Sequence, residues 1–311
     1  MVRSCIVVVA LLLVLAGCQR PDPLARARAD CANDALPASA QANACGALID
    51  AGNLPAADRA SALANSGAAH ARAGDTRSAL QDFAAALAID DSNGRALEGR
   101  ANILIRSGQF DAAEPLVERL VAGGAGARAH LMQGEIAAGR GDYQAAVEAF
   151  DAALSEDGHD AVALAGRARM KVALADNDGA MADFDSAIDI DPRLADARVG
   201  RCWLALRLNR DASNDGRARE DAEAAVSAAP RDFNAQTCLG ILQLRAQQWD
   251  GAKAAFDTAV AIRPGDPLAL FGRGVARRRG GDGAGLIDMN QARDFDHHIG
   301  ERFDQLGVAT Y

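Results

Sequence analysis

Residues 161–194 read AVALAGRARMKVALADNDGAMADFDSAIDIDPRL, and the plan of most of the chain is contained in them. Two runs with helical spacing of small and apolar residues are separated by Asp176-Asn177-Asp178-Gly179, a turn signal, and closed by Pro192. Ala168, Ala180, Phe184 and Ala187 fall at positions 8, 20, 24 and 27 of this 34-residue stretch. The same columns recur in units starting at Ala60, Gly94, Ala127, Ala161, Ala195, Phe233 and Pro267, spaced by 34, 33, 34, 34, 38 and 34 residues. Position 8 reads Gly67, Ala101, Gly134, Ala168, Cys202, Gly240 and Gly274. Position 24 reads Phe83, Val117, Phe150, Phe184, Ala222, Phe256 and Asn290. Position 20 is Ala in every unit but the last, which has Leu286.

Small residues at positions 8 and 20 let the two helices of a unit approach, and the aromatic at position 24 fills the gap between them. Ala at position 27 then admits the first helix of the next unit. Gly74-Asp75, Gly108-Gln109 and Gly141-Asp142 supply left-handed helix endings, and Pro192, Pro230 and Pro264 stop the second helices. No unit buries its apolar face alone, so stacking must build one continuous core. From residue 60 onward this pattern resembles the tetratricopeptide repeat (TPR) family, strongly in units 1, 3, 4 and 6 and more weakly in units 2 and 7. The resemblance implies an all-α, right-handed superhelical solenoid of about seven helix–turn–helix repeats with capping helices. The expected organisation is a leader over 1–17, a tether and N-terminal cap over 18–59, the array over 60–297 and a C-terminal cap and tail over 298–311. Ala44–Ala51 is expected to be a lone covering helix, and Glu301–Leu306 a final one that turns Phe303 and Leu306 onto unit 7.

Composition agrees with a helical chain. Of 311 residues, 50% are hydrophobic, 4% aromatic and 24% charged, a balance unlike that of a disordered segment. A net charge of −9 argues against a nucleic-acid partner, which would need phosphate neutralisation. No apolar run reaches the roughly 20 residues of a spanning helix.

The N-terminus carries an address. Arg3 precedes a short apolar stretch, Ile6 to Leu15, followed by Leu15-Ala16-Gly17-Cys18. That tetrapeptide resembles the lipobox of bacterial lipoproteins, in which small residues admit the peptidase and the Cys18 thiol takes diacylglycerol. The resemblance implies export and lipid anchoring facing the periplasm; Gln19 favours the outer membrane. Cys31, Cys45, Cys202 and Cys238 then remain, an even number in an oxidising compartment, with three possible connectivities. Cys31 with Cys45 is the local pairing. Cys202 and Cys238 lie at similar depths of consecutive repeats, and are either a second bridge or two small buried hydrophobes.

Catalytic and metal motifs are sparse. The sequence contains no GxxxxGK[ST], HExxH, CxxC or GxSxG. Gly280 to Gly285 reads as the turn of unit 7, His297-His298 lacks a third ligand, and Asp211 to Gly216 imitates a calcium loop with Ala222 where the bidentate Glu belongs. No cofactor, metal or enzymatic activity is expected.

TPR arrays bind partners along a concave groove, lined in this family by positions 2, 5, 9, 12 and 13. Position 13 carries Arg72, Arg106, Arg207, Arg245 and Arg279, either a basic seam for carboxylates or phosphates or a set of helix-end caps. The apolar candidates are Trp203, Leu206, Ile241, Leu244 and Phe271, with Trp203 as the anchor. A second arginine column, Arg100, Arg167, Arg201 and Arg273 at position 7, reads as bracing between units. The expected function is a non-enzymatic protein–protein scaffold in the cell envelope, serving envelope or pilus assembly. The alternative is an accessory or specificity subunit of a periplasmic enzyme complex, such as peptidoglycan hydrolysis or polysaccharide export. The expected partner is an envelope protein or peptide.

Overall fold

A computed structural model describes residues 24–209 and 215–309. The leader, Cys18 and most of the calcium-like loop lie outside the described residues. Among the described residues there are seventeen α-helices and no strand. Two compact units divide between Arg100 and Ala101. The first holds α1 (Ala25–Cys31), α2 (Ala38–Asp50), α3 (Ala56–Arg72), α4 (Thr76–Ile89) and the start of α5 (Gly94–Arg106). The second continues α5 and adds α6 (Phe110–Ala122), the hairpins α7 (Gly126–Arg140) with α8 (Tyr143–Glu156) and α9 (Ala161–Ala173) with α10 (Asn177–Ile190), and α11 (Ala195–Leu208) with α12 (Gly216–Ala228). It ends with α13 (Phe233–Arg245) and α14 (Trp249–Ile262), α15 (Pro267–Arg279) and α16 (Gly285–Phe295), and α17 (Ile299–Gln305).

In the first unit the N-terminal cap is larger than the sequence suggests: two helices rather than one, joined by a disulfide between Cys31 and Cys45 with Cα atoms 4.7 Å apart. Arg72, expected in a partner groove, is spent on this cap. Its guanidinium donates to the Asp34 and Leu36 carbonyls and to the Gln41 side chain.

Turn chemistry sets where each second helix starts. Gly74 and Gly141 take φ of 81°, and the aspartate after each caps the next helix: Asp75 accepts from Ser78 N and Asp142 from Ala145 N, both at 3.1 Å. In the fourth hairpin the turn lies earlier than Asp176–Gly179. Ala175 is the left-handed residue, with φ of 64°, and Asp176 is already the cap, accepting from Gly179 N at 3.0 Å. The prolines act as expected, since α10, α12 and α14 each end two residues before Pro192, Pro230 and Pro264.

The core is a series of wedges between three helices. Each aromatic at position 24 meets not only position 8 of its own first helix but also position 6 of the next one. A Cβ placed on Gly134 or Gly166 would stand 2.6 or 2.7 Å from the Phe150 ring. Gly67 and Gly99 flank Phe83 in the same way, Gly200 abuts Phe184, and Gly240 and Gly272 flank Phe256. Burying a ring between glycines brings the helices into contact and contributes about 3–5 kcal/mol per Phe against Ala. The slot after α12 departs from this rule. There position 24 is Ala222, and the two positions that are glycine around Phe83, Phe150 and Phe256 hold Cys202 and Cys238, bonded to each other across α11 and α13 with Cα atoms 6.6 Å apart. A disulfide fills the place of a ring.

The last hairpin is one residue short in its second helix. Met289, not Asn290, faces Gly274, and Gly285 and Ala292 take the small positions around it. Its apparent departure from the repeat is therefore a register shift, and the small–large–small order survives.

Candidate functional site

Within the second unit, a cleft of about 520 Å³ opens between α9 and α11 on one side and α15 and α17 on the other. Trp203 on α11 stands in its wall, half-buried, with the indole Nε1 donating to the Asn234 carbonyl at 3.1 Å. That bond fixes the ring and leaves its apolar surface for the cleft. Val172 and Leu204 continue this wall, and Leu268 and Leu306 line the other. Arg169, Arg207, Arg302 and Gln305 supply the polar groups.

Helical spacing explains the arrangement. Trp203 and Arg207 lie four residues apart on α11 and share a face, as do Arg169 and Val172, three apart on α9. On its opposite faces α11 is clamped twice, by the Phe184 ring against Gly200 and by the Cys202–Cys238 bond. Salt bridges add to the clamp. Arg201 on α11 binds Asp221 of its own hairpin at 2.7 and 2.8 Å and Asp185 of the preceding one at 2.6 Å. Arg167 repeats this with Asp183 and Asp151, and Arg273 with Asp288 and, at 3.6 Å, Asp257. At position 7, Arg167, Arg201 and Arg273 therefore brace neighbouring hairpins. Asp183 is held below its usual carboxylate range: burial opposes ionisation, but hydrogen bonds from Arg167 and Lys171 outweigh it.

Several expected groove residues are elsewhere. Leu206, Ile241, Leu244 and Phe271 are at most 3% exposed and belong to the core cluster that includes Ile299, Phe303 and Val308. Those last three come from α17 and the segment after it, and Phe303 packs on Phe271 with ring centroids 5.0 Å apart. The C-terminal cap thus covers Phe271, which the repeat pattern alone leaves open. Arg245 is also buried. Its Nε lies 2.9 Å from Asp215, and its Nη1 donates to the Asn209 carbonyl at the end of α11. Arg207 reaches Asn177 at 2.6 Å and the Val172 carbonyl at 3.5 Å, and Arg279 reaches the Ala309 carbonyl at 3.4 Å. Position 13 is therefore mainly a set of caps reaching across to neighbouring chain ends, not a continuous basic seam. Arg106 is exposed and is not part of the cleft.

Of the sequence candidates, Trp203 and Arg207 meet in the cleft. Arg169, Arg302 and Gln305 join them without having been singled out. Arg169 carries a signal in hindsight, since it occupies position 9 of its unit as Trp203 does of the next; α17 lies outside the period and gives none.

A second cleft, lined by α6, α7 and α8, has an acidic excess, with Glu114, Glu118, Asp142 and Glu148 against Arg140. Arg140 spans Glu114 and Asp111, and its hydrogen bonds hold the Glu114 carboxyl below its ordinary range. Among the described residues, no group of three His, Cys, Asp or Glu side chains is placed to hold a metal, and no helix is long and apolar enough to cross a membrane.

The tetratricopeptide repeat family profile matches residues 98–161, 211–267 and 237–285. Among solved structures, the APC/C hetero-tetramer Cut9-Hcn1 is similar at a TM-score of 0.67 and 16% identity, over 76% of this chain and 46% of that one. A tetratricopeptide repeat protein from Parabacteroides merdae ATCC 43184 is similar at 0.52 and 18% identity, over 81% of this chain and 98% of that one. These likenesses show the fold, a TPR-type stack of helical hairpins. No curated protein matches the chain.

Proposed function

We propose that this chain of tetratricopeptide repeats is a non-catalytic scaffold that holds a protein or peptide partner in the cleft beside Trp203, anchored to a bacterial envelope membrane through Cys18. TPR proteins are protein–protein interaction scaffolds, and the array here has the stacked hairpins that such a role requires. The observation that carries the reading is the cleft itself. A rigidly held indole beside apolar side chains and unsatisfied polar capacity is the make-up of an interaction hot spot.

The envelope setting is supported by the Leu15-Ala16-Gly17-Cys18 match and by two disulfides, which persist in oxidising compartments. A lipid anchor would tether the array and leave its cleft facing the periplasm, suited to envelope or pilus assembly.

Two variants test the two halves of the proposal. Cys18→Ala is expected to leave the membrane fraction; its recovery in the membrane pellet at unchanged yield would remove the anchor. Trp203→Ala is expected to lose the partner in a crosslinking pull-down from envelope extract while keeping its helical signal. Undiminished capture would remove the cleft.

A further inference from the structure

We infer that the Trp203 cleft recognises a peptide carboxylate set beside an apolar side chain. The inference rests on the cleft being the interaction site and adds what its occupant must carry. Among the described residues the cleft is lined by three guanidinium groups, Arg169, Arg207 and Arg302, and by no carboxylate. That imbalance occurs in a chain with 42 acidic and 33 basic residues.

The position-7 arginines of this unit are cancelled. Arg167, Arg201 and Arg273 each lie between two aspartates. The cleft arginines differ. Arg169 is exposed and makes no hydrogen bond or ion pair among the described residues; Glu135 on α7 feels its charge without pairing with it. Among the described residues the hydrogen bonds of Arg207 go to neutral acceptors, the Asn177 amide oxygen and the Val172 carbonyl, and no carboxylate there compensates its charge. Arg302 pairs with Asp296 at 2.8 Å from the far wall. Two positive charges are thus left facing a space with an indole and aliphatic side chains around it.

A guanidinium fork suits a carboxylate, and Trp203, Val172 and Leu306 suit the side chain next to it. The overall negative charge disfavours a nucleic acid at the same place. An acidic side chain and a free C-terminus offer the same chemistry, and the binding test separates them.

The test is a positional-scanning octapeptide library, fluorescein-labelled at the N-terminus, read by polarisation against the folded full chain. Each pool is made with a free and with an amidated C-terminus. Pools that combine Asp or Glu, or a free terminal carboxylate, with a neighbouring apolar residue are expected to bind, and Lys or Arg pools to be excluded. Arg169→Ala is expected to weaken the selected peptides about tenfold, as loss of one charge-assisted hydrogen bond does, and Trp203→Ala to abolish them. Binding retained on amidation assigns the acid to a side chain; binding lost on amidation assigns it to the C-terminus. Trp203-dependent binding without acidic preference, unchanged by Arg169→Ala, would overturn the carboxylate and leave the cleft standing. Binding of no pool above the Trp203→Ala background would overturn both.

Discussion

The seam between α9 and α11 and the seam between α11 and α13 occupy equivalent places in the repeat, yet they are closed by different chemistry. In the first, Phe184 lies against Gly200; in the second, Ala222 leaves room and Cys202 bonds to Cys238. A ring needs small neighbours, so Phe goes with Gly. A disulfide must start from both helices, so the same two positions become Cys and the ring disappears. What the repeat conserves is a filled volume between three helices, not a residue type. Because α11 lies between the two seams and carries Trp203, its position in the cleft depends on both.

The largest effect is expected on the aromatic side. Phe184→Ala should lower unfolding stability by about 3–5 kcal/mol, through lost burial and the cavity left behind. Chemical denaturation checks it. Removing the bridge in Cys202→Ala/Cys238→Ala should cost slightly less, about 3–4 kcal/mol by the loop-closure estimate for a 36-residue separation. The comparison is sharpened by rebuilding: Cys202→Gly/Cys238→Gly/Ala222→Phe should recover a good part of that loss and make stability insensitive to reductant. If the rebuilt variant is no more stable than the double alanine, the two seams are not equivalent.

The salt bridges beside the aromatic seam give a smaller, pH-dependent effect. Asp183 has a carboxyl pKa lowered in the folded state, so its contribution is complete above its unfolded value of about 3.9 and is lost as pH falls below that value toward the folded pKa. Wild type should therefore lose stability on acidification through that range more steeply than Asp183→Asn. Parallel curves would show that the Arg167 and Lys171 bonds contribute nothing.

The smallest effect lies in the turns. Ala175 takes the left-handed conformation that Gly74 and Gly141 take in sister hairpins. Ala175→Gly should stabilise by about 0.5–1 kcal/mol, the strain relieved less the added chain entropy. A melting temperature unchanged or lowered would contradict this.

The sequence exposed the hairpins because each column repeats within a unit. Phe150 with Gly134, or Ala180 with Ala168, can be read from any one stretch of it. The contact of Phe150 with Gly166 crosses into the next unit, and with it went the meaning of Cys238, which stands where Gly166 stands. Ala222 at an aromatic position was the legible sign that something else fills the slot. One missing residue hid Met289 behind Asn290. The candidate site was legible only in part. Trp203 and Arg207 follow from the period, whereas Ile241 and Leu244 are buried in the core and Phe271 lies against Phe303, which falls beyond it. A groove inferred from repeat positions assumes nothing folds back over it, and the C-terminal segment does.

That the Trp203 cleft is where a partner docks is tested most directly by site-specific photocrosslinking in the envelope. A benzophenone amino acid is placed at Leu268, in the cleft, or at Tyr143, an exposed residue on α8 away from it. A discrete crosslinked adduct is predicted from position 268 and not from 143, and it should vanish when Trp203→Ala is added. Adducts of equal yield from both positions, or one from 268 that survives loss of the indole, would contradict it.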